Sequence, residues 1–163
     1  MTISEELKQQ AIECGLCKQW QAEWGTPTTK DLCDKFIRGI DFCIKHNYPS
    51  IDYMDKHFKG KVEQYGIYIN EEAISQGQSD IIANGNSKID VYAPAVCDIY
   101  VRHNSHIRLR VPRNGFVYVS MFDNCTLEVV EKGENAEICV SLYGGEIING
   151  KLVTRVYNKQ LKQ

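Results

Sequence analysis

Two hydrophobic periods divide this chain. Up to Gly60 apolar residues recur at helical spacing, and beyond it they alternate with polar ones. Thr2-x-x-Glu5 reads as a capping box, and Leu7, Ala11, Cys14 and Cys17, with Trp20 and Trp24 nearby, carry a helix to about Glu23 before Gly25-Thr26-Pro27 stops it. Thr28-x-x-Asp31 opens a second helix, whose face runs Leu32, Cys33, Phe36, Ile37, Ile40, Cys43 and Ile44 and ends at His46-Asn47. Ser50 caps a third, shorter one through Tyr53, Met54, His57 and Phe58, closed by Gly60. Residues 1–60 therefore read as a three-helix module.

The alternating part carries a repeat. Asn104-Ser105-His106-Ile107, Asn124-Cys125-Thr126-Leu127 and Gly144-Gly145-Glu146-Ile147 follow one another at 20-residue spacing, each a turn that opens a short strand. That is the signature of a β-solenoid, in which equivalent side chains of successive coils stack about 4.8 Å apart. Aligning the turns places Ile89, Val91, Ile107, Leu109, Val111, Leu127, Val129 and Ile147 on one inner wall. Ile99 and Val101, Val117 and Val119, and Ile138 and Val140 line the other, with 112–115 and 132–135 as corners. Tyr65–Ile69 reads as a strand ahead of the repeats and 76–80 as a loop. The expectation is an α+β chain: helical module 1–60, then a β-solenoid domain over 61–163 with three to four coils of two strands each. A small antiparallel β-sandwich shows the same alternation and stands as the alternative.

The stacking makes register predictions. Arg108 should lie over Glu128 and His103 over Asp123, one coil apart. A solenoid also has raw strand edges at its ends. The helical module is expected to cover the first coil, and Leu152–Tyr157 to form a last strand that exchanges with another chain.

Composition narrows the setting. The 163 residues are 43% hydrophobic and 25% charged with net charge −2, which gives no global attraction to nucleic acid or an anionic membrane. No apolar run approaches membrane-spanning length, and the N-terminus lacks an export-signal pattern. Seven scattered cysteines, at 14, 17, 33, 43, 97, 125 and 139, fit buried reduced thiols better than a disulfide framework.

Several stretches carry a resemblance. Gly15-Leu16-Cys17-Lys18-Gln19-Trp20, Arg38-Gly39-Ile40-Asp41-Phe42-Cys43-Ile44, His57-Phe58-Lys59-Gly60-Lys61 with Tyr65-Gly66-Ile67-Tyr68, and Tyr100-Val101-Arg102-His103-Asn104-Ser105 resemble a group of small proteins of unknown function. That group is common in gut Bacteroidales and their tailed phages and prophages. The resemblance implies a phage or mobile-element context, in the host cytoplasm or the virion, and brings no catalytic residues with it.

Four constellations carry possible chemistry. Cys14-x-x-Cys17 with Cys43-x-x-His46 has the residue types of a structural zinc site, but Cys14 and Cys43 fall on apolar helical faces, so buried thiols are the favoured reading and no metal or cofactor is expected. Arg102, His103, His106, Arg108, Arg110 and Arg113 form a basic cluster that could take an anion or nucleotide; the competing reading is a solvated wall balanced by Glu128, Glu131, Glu134 and Glu137. His103, Asp123 and Cys125 could suggest acid–base or nucleophilic work, yet a ladder of turn residues explains them more simply. Trp20, Trp24, Phe36, Tyr48, Tyr53 and Phe58 fit a helical core, whereas Tyr92, Tyr100 and Tyr118 should point outward as a row. A non-enzymatic phage structural or interaction protein is the resulting expectation. It would be a homo-oligomer, a parallel trimer burying the tyrosine row, with a phage or host protein as a further partner and neither membrane nor nucleic acid. A cytosolic anion- or nucleotide-binding inhibitor made during infection is the alternative.

Overall fold

The computed structural model describes residues 1–161. The chain divides into two compact units, Met1–Phe58 and a second that begins at Lys59.

In the first unit the helices are α1 (Ile3–Glu13), α2 (Lys18–Ala22), α3 (Thr29–Arg38), α4 (Ile40–His46) and α5 (Ile51–Phe58). Both capping boxes form: Thr2 and Thr28 accept from the backbones of Glu5 and Asp31, whose carboxylates reach back to the cap N–H groups. Ser50 Oγ accepts from Tyr53 N at 3.2 Å and caps α5. The first two expected helices are each broken in two. Gly15 takes φ +95° after the C-cap Cys14, and the chain turns before α2. Gly39 separates α3 from α4, and a Cβ there would stand 3.1 Å from Lys35 O. Apolar spacing runs on through both glycines, so periodicity alone joined what the backbone separates. Side chains tie the pieces to α1: Tyr48 Oη donates to Leu7 O (2.6 Å), Tyr53 Oη to Glu6 Oε2 (2.7 Å) and Trp24 Nε1 to Ser4 Oγ (3.0 Å).

The second unit is a parallel β-solenoid. A 3₁₀ turn, Glu63–Tyr65, leads into β1 (Ile67–Ile69), β2 (Glu72–Gln76), β3 (Asp80–Asn84), β4 (Lys88–Tyr92), β5 (Val96–Val101) and β6 (His106–Val111). Then follow β7 (Phe116–Met121), β8 (Thr126–Lys132), β9 (Glu137–Leu142), β10 (Glu146–Ile148), a 3₁₀ turn at Gly150–Leu152, and β11 (Arg155–Asn158). Odd strands form one sheet in the order β1-β3-β5-β7-β9-β11 and even strands the other, β10-β8-β6-β4-β2. Every pairing is parallel, and each joins a strand to the next but one in sequence. A sandwich of hairpins would pair consecutive strands antiparallel, so that alternative is excluded. Among the described residues there are five two-strand coils, with β11 beginning a further one.

All the expected inner positions are inside. Ile89, Val91, Ile99, Val101, Ile107, Leu109, Val111, Val117, Val119, Leu127, Val129, Ile138 and Val140 join one buried cluster, and Ile147 packs against it. Each fully buried aliphatic contributes about 1.5–3 kcal/mol, so the dry column is the main stabilising term. Three features differ from expectation. The wall containing Ile99 is in register with Val119, not Val117. That slip of two residues keeps every side chain on its own face, which is why alternation could not detect it. The first coils, β2 and β3 included, escaped because they are short: Ile67 pairs with Ile82 and Glu72 with Lys88, well under the 20-residue spacing of later coils. Finally, a bulge in β8 moves the register from Leu109↔Val129 to Arg110↔Glu131.

The two ends of the column are closed differently. In the first coil a polar network fills the space: Tyr68 Oη and Ser75 Oγ donate to Gln78 Oε1 at 2.5 and 2.6 Å, and Gln78 Nε2 donates to Glu63 O at 2.7 Å. At the last coil Leu142, Ile147, Leu152 and Val153 pack over the core, and Asn149 Nδ2 donates to Val129 O at 3.0 Å. The segment expected to exchange with another chain pairs in cis, β11 lying beside β9.

Candidate functional site: the corner column and the basic wall

The 104, 124 and 144 corners stack. Asn104 N donates to Gly85 O and Asn124 N to His103 O, both at 3.1 Å, and the strands that follow run His106↔Thr126↔Glu146. Each corner needs one residue at positive φ: Asn70 (+48°), Gly85 (+71°), His103 (+58°) and Asp123 (+61°). In the last coil Gly144 and Gly145 replace the Asn-Ser and Asn-Cys of earlier corners because the backbone closes in. A Cβ on Gly145 would lie 2.4 Å from Cys125 O.

The residues that looked catalytic hold these corners together. His103 Nδ1 accepts from Gly85 N at 2.8 Å, so the ring must be unprotonated at that nitrogen. Burial, then the Arg102 charge, pushes the imidazole below its ordinary range against the opposing pull of Asp123. Asp123 Oδ2 accepts from the backbone N of His103 at 2.9 Å, so the predicted ladder runs through the peptide group. Cys125 extends a column of small buried residues, Ser87 and Ser105 below it. Ser105 Oγ donates to Gly85 O at 2.9 Å, and Cys125 Sγ sits 3.8 Å from Gly144 O. Burial lifts the Cys125 thiol to about 11, and those of Cys33 and Cys97 to about 11 and 12, so these sulfurs are protonated and poor nucleophiles at neutral pH.

The six-residue basic cluster does not stay together. Arg102 is 2% exposed and donates through Nη1 to Asn84 Oδ1 at 3.0 Å; Asn84 Nδ2 in turn donates to Tyr68 O at 3.0 Å. It therefore cannot meet a solvent anion, a correction to the cluster read from sequence. Arg108 and Arg110 do share the outer face of β6, but both are ion-paired. Arg108 bridges Asp90 (3.1 Å) and Glu128 (2.8 Å), the second as the register predicts, and Arg110 contacts Asp90 (3.2 Å) while stacking over Tyr92 at 4.7 Å. An arriving phosphate would have to displace two carboxylates. Arg113 faces Glu134 across 3.8 Å in the open, and His106 Nε2 is buried without a hydrogen-bond partner among the described residues. Asp90 is the residue that sequence reading missed. Its place in the 18-residue step before Arg108 was the available signal.

The remaining constellations disperse as well. Among the described residues no group of three or more His, Cys, Asp or Glu stands close enough to hold a metal, and Cys14, Cys17, Cys43 and His46 do not converge. The tyrosine row is absent. Tyr92 lies on the even sheet, while Tyr100 and Tyr118 lie on the odd one in different columns, Tyr100 beside Ser120 and Tyr118 bonded to Ser141. Among the helical aromatics, Trp24 and Tyr48 are buried, and Trp20, Phe36, Tyr53 and Phe58 are half-buried. No described helix is long and apolar enough to cross a membrane.

No protein-family model, curated protein or solved structure matches this chain.

Proposed function

We propose that this protein is a non-enzymatic, homo-oligomeric interaction component of a tailed phage or related mobile element, made in the host cytoplasm and carried into the virion. One observation supports this reading above the others: the three residues that the sequence offered as a catalytic set, His103, Asp123 and Cys125, are each committed to a structural contact in the corners. His103 and Asp123 accept backbone N–H groups of the corners, and Cys125 is a protonated member of the corner stack. A rigid stack whose polar groups are spent internally offers its walls and ends to partners. The phage setting comes from the resemblance of Gly15–Trp20, Arg38–Ile44 and 57–68 to the Bacteroidales phage group.

Quantitative mass spectrometry of particles induced from a host carrying the gene tests the reading. A constant copy number relative to the capsid protein, surviving nuclease and density-gradient purification, is expected. Abundance in infected cells with absence from purified particles would overturn it and favour the intracellular inhibitor.

A further inference from the structure

We infer that β11 joins two copies of this chain tail to tail, by antiparallel pairing of its free edge about a two-fold axis at Val156. The inference rests on the oligomeric part of the preceding reading and supplies its interface.

The ends of the odd sheet are unlike. At its start, β1 is buried at all three positions, Ile67, Tyr68 and Ile69. At its finish, all four residues of β11 are exposed, and among the described residues β9 is the strand's only neighbour in the sheet. Val156 and Tyr157 are 43% and 42% exposed. Natural sheets protect such an edge with charged side chains, proline or a bulge, and Arg155–Asn158 carries a single charge, that of Arg155, and no proline. Because the first edge of the odd sheet is closed, β11 of one copy has no acceptor strand on that sheet's first coil in another, and an isologous contact between two last coils is the arrangement that pairs β11.

Charge selects the register. Opposite residues of an antiparallel pair must present their peptide groups alike, so a two-fold axis passes through a residue rather than between two. An axis at Arg155 sets that guanidinium against its own copy, and an axis at Tyr157 sets Arg155 against the second copy's Lys159. Both place like charges opposite each other, which destabilises a pair. The axis at Val156 avoids this. It packs Val156 on Val156, faces Arg155 with the second copy's Tyr157 in a cation–aromatic pairing, and sets Thr154 opposite Asn158. The partner the edge fits is therefore another copy of itself. The strand is short, well below a standard interface, so association falls in the micromolar range or weaker.

Sedimentation equilibrium of the full chain from micromolar to near-millimolar concentration tests this. A reversible monomer–dimer equilibrium is expected, weakened at least tenfold, roughly 1.4 kcal/mol, by Val156→Lys with an unchanged circular dichroism spectrum. In a Cys17→Ser background, Val156→Cys should form a symmetric disulfide under mild oxidation. Asn158→Cys should not, because the two copies of that residue stand four strand rises apart, about 14 Å. A monomer throughout, a dimer indifferent to Val156→Lys, or equal cross-linking by both cysteine variants overturns the interface. Those outcomes leave the particle measurement untouched, and absence from particles leaves the dimer standing, so the two failures are distinguishable.

Discussion

Replacing Asn84 by alanine should cost more stability than replacing Arg102 by methionine, although Arg102 carries the charge. Tyr68, Asn84 and Arg102 belong to three successive coils, and two 3.0 Å hydrogen bonds run through them from the guanidinium to Asn84 Oδ1 and from Asn84 Nδ2 to Tyr68 O. Arg102→Met keeps most of the aliphatic volume at a position 2% exposed and removes the charge with its desolvation cost. A loss of about 2 kcal/mol is expected, set by the charge-assisted hydrogen bond. Asn84→Ala instead withdraws an acceptor from a buried guanidinium together with the amide donor to Tyr68 O, for which about 3 kcal/mol or somewhat more is expected. The double variant should cost little more than Asn84→Ala alone, giving a coupling energy of about 1.5–3 kcal/mol. Urea unfolding followed by far-ultraviolet circular dichroism is the assay, because Trp20 and Trp24 both lie in the helical unit and their fluorescence does not report the solenoid. A coupling below about 0.5 kcal/mol, or Arg102→Met costlier than Asn84→Ala, would refute the argument that this chain of contacts fastens the coils.

Three further outcomes follow from the packing of the solenoid. Leu127→Ala, at a position with no exposure between Ile107 and Ile147, should lose about 3–5 kcal/mol, and Ile147→Ala in the half-open last coil distinctly less; equal losses in urea melts would contradict the stacked column. Burial, with the hydrogen bond and charge of Glu63, holds the Glu71 carboxyl up to about 7 against the opposing Ile69 N–H. A raised native value means stability is fully present below about 4.5 and is lost as pH rises through about 7. After allowance for solvent screening this should amount to about 1 kcal/mol, and thermal melts against pH should flatten over that window in Glu71→Gln. Asp90→Asn with Glu128→Gln frees Arg108 and Arg110, so inorganic phosphate should bind severalfold more tightly than to the parent in calorimetry at low salt; no gain would show that the carboxylates are not what occupies the wall.

The architecture was legible because face and corner are encoded separately. Alternation assigned Ile107, Leu109, Leu127 and Val129 to the interior, and the Asn-Ser, Asn-Cys and Gly-Gly corners set the 20-residue rise that the register shows. What alternation cannot carry is any displacement by an even number of residues, hence the Ile99 misalignment. Coils of another length also go unseen by a fixed ruler, hence β2 and β3. In the helical unit the limit was similar, since a glycine can break the backbone at Gly15 or Gly39 without disturbing the apolar stripe around it.

The site was less legible, for a physical reason. A solenoid builds its corners from the residues that tolerate positive φ and can hydrogen-bond a neighbouring backbone, chiefly Asn, Asp, His and small hydroxyl or thiol side chains. Active sites draw on much the same set. In the sequence His103, Asp123 and Cys125 cannot declare which use they serve; the Gly85 N–H aimed at the imidazole and the Ser87–Ser105–Cys125 stack decide it. Arg102 is the sharper case. It stands one residue past the inward-facing 97, 99 and 101, where alternation predicts an outward basic group, and its guanidinium is instead received by Asn84 one coil earlier. Only pairs in register could have revealed it, as Arg108 with Glu128 did, and a polar pair between coils of 18-residue rise was invisible to a repeat measured at 20. Charges on such a stack are therefore read correctly two coils at a time, each against the residue one rise away, before any is assigned to a ligand.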